Sequence, residues 1–137
     1  MVMRIFVLFT ALMMGNLTIA HAEKINFKDI IIYNAWIKDT PPNQKITAGY
    51  LTIENLSDTD QKLIFVSSSF AAKGQIHQMK TDGEVMKMRP MTDGLFVPAN
   101  GTIELRPGGF HLMFTQLNRQ IILKQTHRIT LTFQNIL

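Results

Sequence analysis

Short segments in which apolar and polar residues alternate recur along this chain, and they constrain its fold more than any other feature. In the last segment Ile129, Leu131 and Phe133 alternate with polar residues. Such alternation places one set of side chains on each face of a β-strand. Beyond residue 22, no segment keeps the i, i+3, i+4, i+7 apolar spacing of a helix over three turns. The sequence therefore predicts an all-β protein.

Eight strands are predicted, with turn signals between them at roughly the 8–12-residue spacing of sandwiches and barrels. The predicted strands are 25–38, 47–54, 62–67, 74–80, 85–89, 102–106, 109–115 and 128–135. Breaks between them include 39–43, 57–58, 82–83, 100–101 and 107–109, where residues that favour tight turns collect. With no repeat or linker, these strands are expected to form one domain.

The first 22 residues have the features of a secretory signal peptide. Arg4 precedes an apolar run over 5–19, and the tripeptide at 20–22 fits an A-x-A cleavage site. Polar residues interrupt a run that is already short for the roughly 20 apolar residues of a membrane span, so cleavage is favoured over anchoring. Residues 23–137 are then an exported, soluble domain without a membrane span. In a Gram-negative bacterium this domain would be periplasmic.

The composition argues against several classes of protein. Fourteen Lys and Arg residues against 10 Asp and Glu residues give a net charge of +4, too small and scattered to indicate nucleic-acid binding. The chain has no cysteine, which removes disulfides, zinc-thiolate sites, a redox CxxC motif and a lipoprotein anchor.

After residue 22, every methionine falls in a window bounded by two His-x-Met triplets, His77-Gln78-Met79 and His111-Leu112-Met113. Thioether sulfur selects Cu(I), and imidazole nitrogen also suits copper. A thioether, unlike a thiolate, is not lost to disulfide formation in an oxidising compartment. The window therefore predicts a copper site. His127 has no neighbouring methionine and is predicted to lie on the surface, and Trp36 and Tyr50 are read as core or loop-packing aromatics.

Strand alternation separates the second triplet from the apolar face of its own strand. Phe110, Leu112 and Phe114 point one way, so His111 and Met113 point the other. A methionine is more often core filler than ligand. Met113 would still be a core residue if its face packed against a second sheet.

Two turns suggest which residues are neighbours across strands. If Pro107-Gly108 is the centre of a two-residue turn, Glu104 pairs with His111 and could orient its ring, although an exposed glutamate is the commoner outcome.

The other turn is Asp82-Gly83, which we take as a two-residue hairpin loop. It then pairs Met79 with Met86 and His77 with Met88, and all four side chains project from one face.

At these residues the chain resembles the periplasmic copper(I) chaperones of the PCuAC type, a family first described as a domain of unknown function and DUF461-like. The family signature is a histidine, ten residues, a methionine, a spacer and His-x-Met. Here ten residues separate His77 from Met88, and twenty-two separate Met88 from His111. The second spacer is one residue longer than is usual, an excess that the loop region 92–101 can absorb. Other segments of the family type are 34–36, 47–51, 88–90 and 106–113.

The resemblance implies a cupredoxin-like, immunoglobulin-like antiparallel β-sandwich with an exposed site near one end. It implies that one Cu(I) per chain is held by His77, Met88, His111 and Met113. It also implies a metallochaperone rather than an enzyme, which delivers copper to the CuA centre of cytochrome c oxidase. The acceptor would be oxidase subunit II or a Sco-type assembly protein.

Two other classes of protein stay open. A copper electron carrier is one, although a blue-copper site needs a cysteine thiolate. The other is a metal-free assembly or adhesion module whose methionines fill a core. No acid–base or nucleophile pair stands beside the candidate metal residues, so the sequence favours a binding protein over an enzyme.

Overall fold

The structure, a computed structural model, describes residues 2–10 and 23–135, and these ranges contain strands and turns but no helix. The strands in chain order are β1 Val2–Thr10, β2 Ile25–Phe27, β3 Ile30–Ile37, β4 Ile46–Asn55, β5 Gln61–Ser68, β6 Ala71–Asp82, β7 Val85–Pro90, β8 Leu95–Val97, β9 Thr102–Leu105, β10 Phe110–Leu117 and β11 Thr126–Asn135. The all-β prediction is confirmed. Within the described ranges there is accordingly no helical segment that could cross a membrane.

The strands form one antiparallel sheet that curls over so that its inner face encloses the core. The main path runs β1-β11-β5-β6-β10-β4-β3-β2, while β7 pairs with β6, β8 with β5 and β9 with β4. Phe70, Phe114 and Phe133 are the largest of the fully buried side chains. Burial of each such side chain contributes roughly 1.5–3 kcal/mol, so the apolar interior stabilises the sandwich without disulfides.

Within residues 23–135 the strand prediction differs from the structure at two places. The predicted strand 25–38 is divided into β2 and β3 by a tight turn, in which Lys28 has a φ of 52° and Phe27 pairs with Ile30. The second difference is β8, which was not predicted and which pairs with β5. Three residues are too few to show a period of two, so the alternation pattern could not reveal β8.

The last strand confirms the predicted alternation and corrects one residue. Ile129, Leu131 and Phe133 are completely buried, as expected. His127 begins the same series two residues earlier and is only 2% exposed, so the prediction of a surface position is wrong. The periodicity of the strand extends one step further toward its start than we assumed.

The N-terminal segment lies against β11. Residues 2–10 form β1, which pairs with β11 at nine positions, and Val7 is buried. The predicted cleavage site at 20–22 lies outside the described residues, so the signal peptide and the domain boundary at residue 23 stay predictions. Cleavage there would remove β1 and make β11 an edge strand of the sheet.

Candidate metal centre

Two of the predicted ligands are directly opposite each other on neighbouring strands. His77 on β6 pairs with His111 on β10, and their ring centroids are 5.6 Å apart. Met113 follows two residues later on β10 and is opposite Gln75. Because directly paired residues share a face of the sheet, all four side chains lie on one face.

The opposite face of β10 belongs to the core. Leu112 and Phe114 are fully buried and Phe110 packs against them, as the alternation predicted. His111 is only 5% exposed because β10 lies between β6 and β4, while Met113 is half-buried and does not belong to the apolar core. The outer face of β10 is therefore a separate, partly sheltered environment.

Hydrogen bonds fix which nitrogen of each ring can act as a ligand. His111 Nδ1 is 3.2 Å from the carbonyl oxygen of Gly109, to which it donates, and the neutral ring then has a lone pair on Nε2. His77 Nε2 is 3.3 Å from Oε1 of Gln75, and His77 Nδ1 is buried with no hydrogen-bond partner among the described residues. Each histidine thus has one nitrogen held by a neighbour and one left for a ligand, the usual arrangement at a metal site.

The surroundings of His77 favour its neutral form. Burial lowers the pKa of His77 below its ordinary value, and the nearby His111 and Lys73 lower it further. A neutral imidazole is the form that binds a metal. The ring is therefore prepared for coordination near neutral pH without first losing a proton.

The hairpin of β6 and β7 has a different register from the predicted one. Met79 pairs with Met88 rather than with Met86, and His77 pairs with Pro90 rather than with Met88. The loop is Gly83 and Glu84, with Gly83 at a φ of 66°. A positive φ at the first central residue is the type II′ solution that glycine favours, and it displaced the Asp-Gly turn that we predicted.

The side chains still share a face, because the register moved by two residues and strand faces repeat every two. His77, Met79, Met86 and Met88 project together, as predicted.

The predicted hairpin between β9 and β10 is wrong. Gly109 N donates to Arg106 O at 3.0 Å and Gly108 has a φ of 83°, so Pro107-Gly108 does form the centre of a turn. It has the signature of type II. However, β9 and β10 both pair antiparallel with β4, so they follow each other along β4 in the same direction instead of pairing with each other. Glu104 consequently pairs with Thr52 on β4 rather than with His111, and its side chain is exposed.

The four predicted ligands are not all close to one another. His77 and His111 are adjacent, and Met113 lies one step along the sheet on the Gln75 side. Met88 lies one step in the other direction, on β7, level with Met79. Met88 and Met113 are therefore four residues apart along the strands, roughly 13 Å at the rise of a strand. The β6–β7 hairpin has to bend if both thioethers are to reach one ion.

Sequence reasoning missed the groups that orient the two rings. Gln75 lies two residues before His77, and Gly109 lies two residues before His111, so a search for polar partners at i−2 on the same strand face would have suggested Gln75. The carbonyl of Gly109 has no signal in the sequence, because any residue supplies a carbonyl group.

An aromatic pair extends the same row of the sheet. Gly49 on β4 pairs with Leu112. In the same register the next residue of β4, Tyr50, lies opposite His111. Trp36 on β3 pairs with Tyr50, and their ring centroids are 4.4 Å apart. Trp36 is 40% exposed, so it is a packing aromatic but not a core residue. Burial raises the pKa of Tyr50 above its ordinary value.

Comparisons with known proteins agree with this fold. The family model described as "Putative lipoprotein LpqE-like" matches residues 30–136, and the chain belongs to that family. A relative from Leifsonia xyli subsp. xyli, named "Putative lipoprotein Lxx21020", is 27% identical over 104 residues. That match covers 76% of this chain but only 61% of the relative, so the chain spans less than two thirds of the relative's length.

Several solved structures have the same fold. The copper-bound PCuAC domain from PmoF2 matches with a TM-score of 0.67 and 18% identity, covering 83% of this chain and 93% of that one. The apo PCuAC domain from PmoF1 matches with a TM-score of 0.68 and 19% identity, covering 82% and 88%. Apo-DR1885 from Deinococcus radiodurans is 26% identical with a TM-score of 0.59, covering 89% and 85%. The resemblance to the PCuAC type and its β-sandwich is confirmed.

Proposed function

We propose that this protein binds Cu(I) outside the cytoplasm and hands it to an acceptor protein. The observation that carries the proposal is the His77–His111 pair, in which each ring is held through one nitrogen while the other is left for a ligand. Thioethers lie on the same face on both sides of this pair. The donor set of imidazole and thioether, in a chain without cysteine, suits Cu(I).

We propose His77, Met88, His111 and Met113 as the ligands of one Cu(I) per chain. Their exposure increases across the sheet, from 5% at His111 to 46% at Met88. An acceptor can therefore reach Met88 first and replace it while the buried histidine still holds the ion. Exchange of one ligand at a time is what a carrier needs and what a sealed site prevents.

Location and acceptor are part of the same proposal. Both the matched family and the relative from Leifsonia carry the name of lipoproteins, a class displayed outside the cytoplasm, and one solved neighbour is a copper-bound domain. These names support a carrier that acts outside the cytoplasm, and we propose the periplasm. We propose the CuA centre of cytochrome c oxidase as the destination, through subunit II or a Sco-type assembly protein. A carrier of this kind performs no catalysis of its own.

The test is an anaerobic titration with Cu(I) against a colorimetric Cu(I) competitor, followed by X-ray absorption of the copper complex. We expect one tightly bound Cu(I) per chain, no strong visible band, and a first shell of both nitrogen and sulfur. A shell of oxygen or nitrogen alone would exclude the proposed ligands. A strong visible band would identify an electron carrier, and no bound copper would identify a metal-free module.

The acceptor is tested separately by mixing the copper-loaded protein with an isolated CuA domain or a Sco-type protein. Copper should move to the acceptor faster than it moves to buffer alone. Equal rates with and without the acceptor would exclude that partner while leaving copper carriage intact.

A further inference from the structure

The β6–β7 hairpin carries three methionines that the proposed ligand set does not fully use. Met79 is directly opposite Met88, and Met86 lies two residues from Met88 on the same strand. Directly opposed Cβ atoms in an antiparallel ladder are about 4.5–5.5 Å apart, and diagonal neighbours about 7–8 Å. All three thioethers therefore stand close together on one face.

Met86 and Met88 do not stabilise the core, and the half-buried Met79 does not belong to the apolar core either. Every residue of β7 is exposed, including Met86 at 53% and Met88 at 46%, and β7 pairs with β6 alone among the described strands. Long apolar side chains on a strand with no buried residue gain little from the hydrophobic effect. Packing therefore does not explain why methionines are grouped on this exposed face.

Charge and space around the three methionines permit an ion to approach. Lys80 pairs with Lys87 on the opposite face of the hairpin, so these two cationic side chains point away from the thioethers. Met79 also lines an open depression of about 290 Å³, whose wall includes both the anionic Glu104 and the cationic Arg106. The methionine face is thus accessible to solvent and to a partner.

We propose that Met79, Met86 and Met88 form a second Cu(I) position, made of thioethers alone, through which copper enters and leaves the histidine site. Met88 belongs to both positions, because it lies one step from His77 and directly opposite Met79. A small movement of the ion along the hairpin exchanges imidazole ligands for thioether ligands, with no change in oxidation state. The inference rests on the proposed function, since a carrier needs a route by which its cargo leaves.

The first experiment isolates the thioether position. In a His77→Ala, His111→Ala double variant, an anaerobic Cu(I) titration should show weaker binding of one Cu(I), and X-ray absorption should show sulfur ligands without nitrogen. Adding Met79→Leu and Met86→Leu should lower the remaining affinity at least about tenfold, since even the loss of an outer partner of a metal site costs that much. The matched control is Met91→Leu, because Met91 packs against the core and leaves the hairpin face unchanged.

The second experiment works in the wild-type background, so it does not depend on the stability of the histidine variant. Met79→Leu with Met86→Leu should slow the transfer of Cu(I) to a colorimetric competitor while changing the equilibrium affinity less than twofold. Unchanged transfer rates would overturn the proposal. It would also be overturned if the histidine double variant bound no copper, or if Met79→Leu and Met86→Leu left the Cu(I) affinity of that variant unchanged. A wild-type protein without copper would instead overturn the proposed function.

Discussion

His111 and His127 are both almost completely buried, yet they lie in regions of opposite chemistry. His111 is on the outer face of β10, where a carbonyl accepts its Nδ1 proton and His77 faces it. His127 is on the inner face of β11, beside the ring of Phe70 at 5.3 Å, and neither of its nitrogens has a hydrogen-bond partner among the described residues. Burial alone therefore does not distinguish a candidate ligand from a core residue.

The difference between the two regions arises from the face of the sheet on which each histidine lies and from the chemical groups on that face. The outer face around His111 provides oxygen acceptors and thioethers, so the ring is oriented and one lone pair is left for a metal. The inner face around His127 offers the ring of Phe70 and no hydrogen-bond partner among the described residues, so the burial of its polar atoms costs energy. The strand period of two decides between these outcomes.

The largest expected effect separates the two faces of β10. Phe114→Ala removes a fully buried ring and should lower the free energy of unfolding by about 3–5 kcal/mol. Met113→Ala, one residue away on the outer face, should cost about 1 kcal/mol or less. Urea unfolding of both variants measures the difference. A loss of about 2–5 kcal/mol from Met113→Ala would show that Met113 is a core residue.

The second prediction compares the histidines by copper affinity. His77→Ala with His111→Ala should lower the Cu(I) affinity at least about 100-fold, equal to about 2.7 kcal/mol of binding free energy. His127→Phe should leave the affinity within twofold of wild type, because His127 lies on the inner face. A competitor titration measures all three proteins. An equal loss of Cu(I) affinity in both variants would contradict the assignment of His127 to the core and of His77 and His111 to the copper site.

The third prediction is the pH dependence of copper binding. Protons compete with copper for His77 and His111, while thioethers bind no proton. Since burial lowers the pKa of His77, competition there begins below the ordinary histidine value of about 6.5. The affinity should be nearly constant above about pH 7 and fall in acid, with a slope that approaches two protons per copper if both rings are ligands.

The matched control for this titration is the His77→Ala, His111→Ala variant, whose weaker affinity should not change with pH. A wild-type affinity that stays constant down to about pH 5 would remove both histidines from the site.

The sequence predicted faces better than it predicted pairings. The alternation of β10 and β11 correctly separated Leu112 and Phe114 from His111, because a period of two is a local property. Pairing depends on the turn type, and the turns at 83–84 and 107–108 both took forms other than those predicted. A register error of two residues kept the methionine face intact, whereas the pairing of β9 with β4 placed Glu104 opposite Thr52 and not opposite His111.

The meeting of His77 with His111 could not be derived from the sequence without the family resemblance. The two residues are thirty-four positions apart, and their strands become neighbours through the curl of the whole sheet. Family spacing supplied the ligand set, but it did not indicate that Met88 and Met113 lie on opposite sides of the histidine pair. That arrangement depends on which strand lies beside β6 on each side, a tertiary property.

The smallest expected effect tests the inner region through the stability of the fold. Burial lowers the pKa of His127, and the charge of Arg119 lowers it further. The unfolded chain therefore binds a proton first as the pH falls through about 6.5, and stability is lost from there down to the lowered folded-state pKa. For each pH unit by which the folded-state pKa is lowered, the folded protein is about 1.4 kcal/mol less stable in acid.

His127→Phe cannot take up this proton, so its stability relative to wild type should rise as the pH falls. His127→Leu is the control for ring volume and should show the same trend. Urea unfolding between about pH 8 and pH 5 measures both variants, and a constant difference from wild type would show that His127 is protonated equally in the folded and unfolded states.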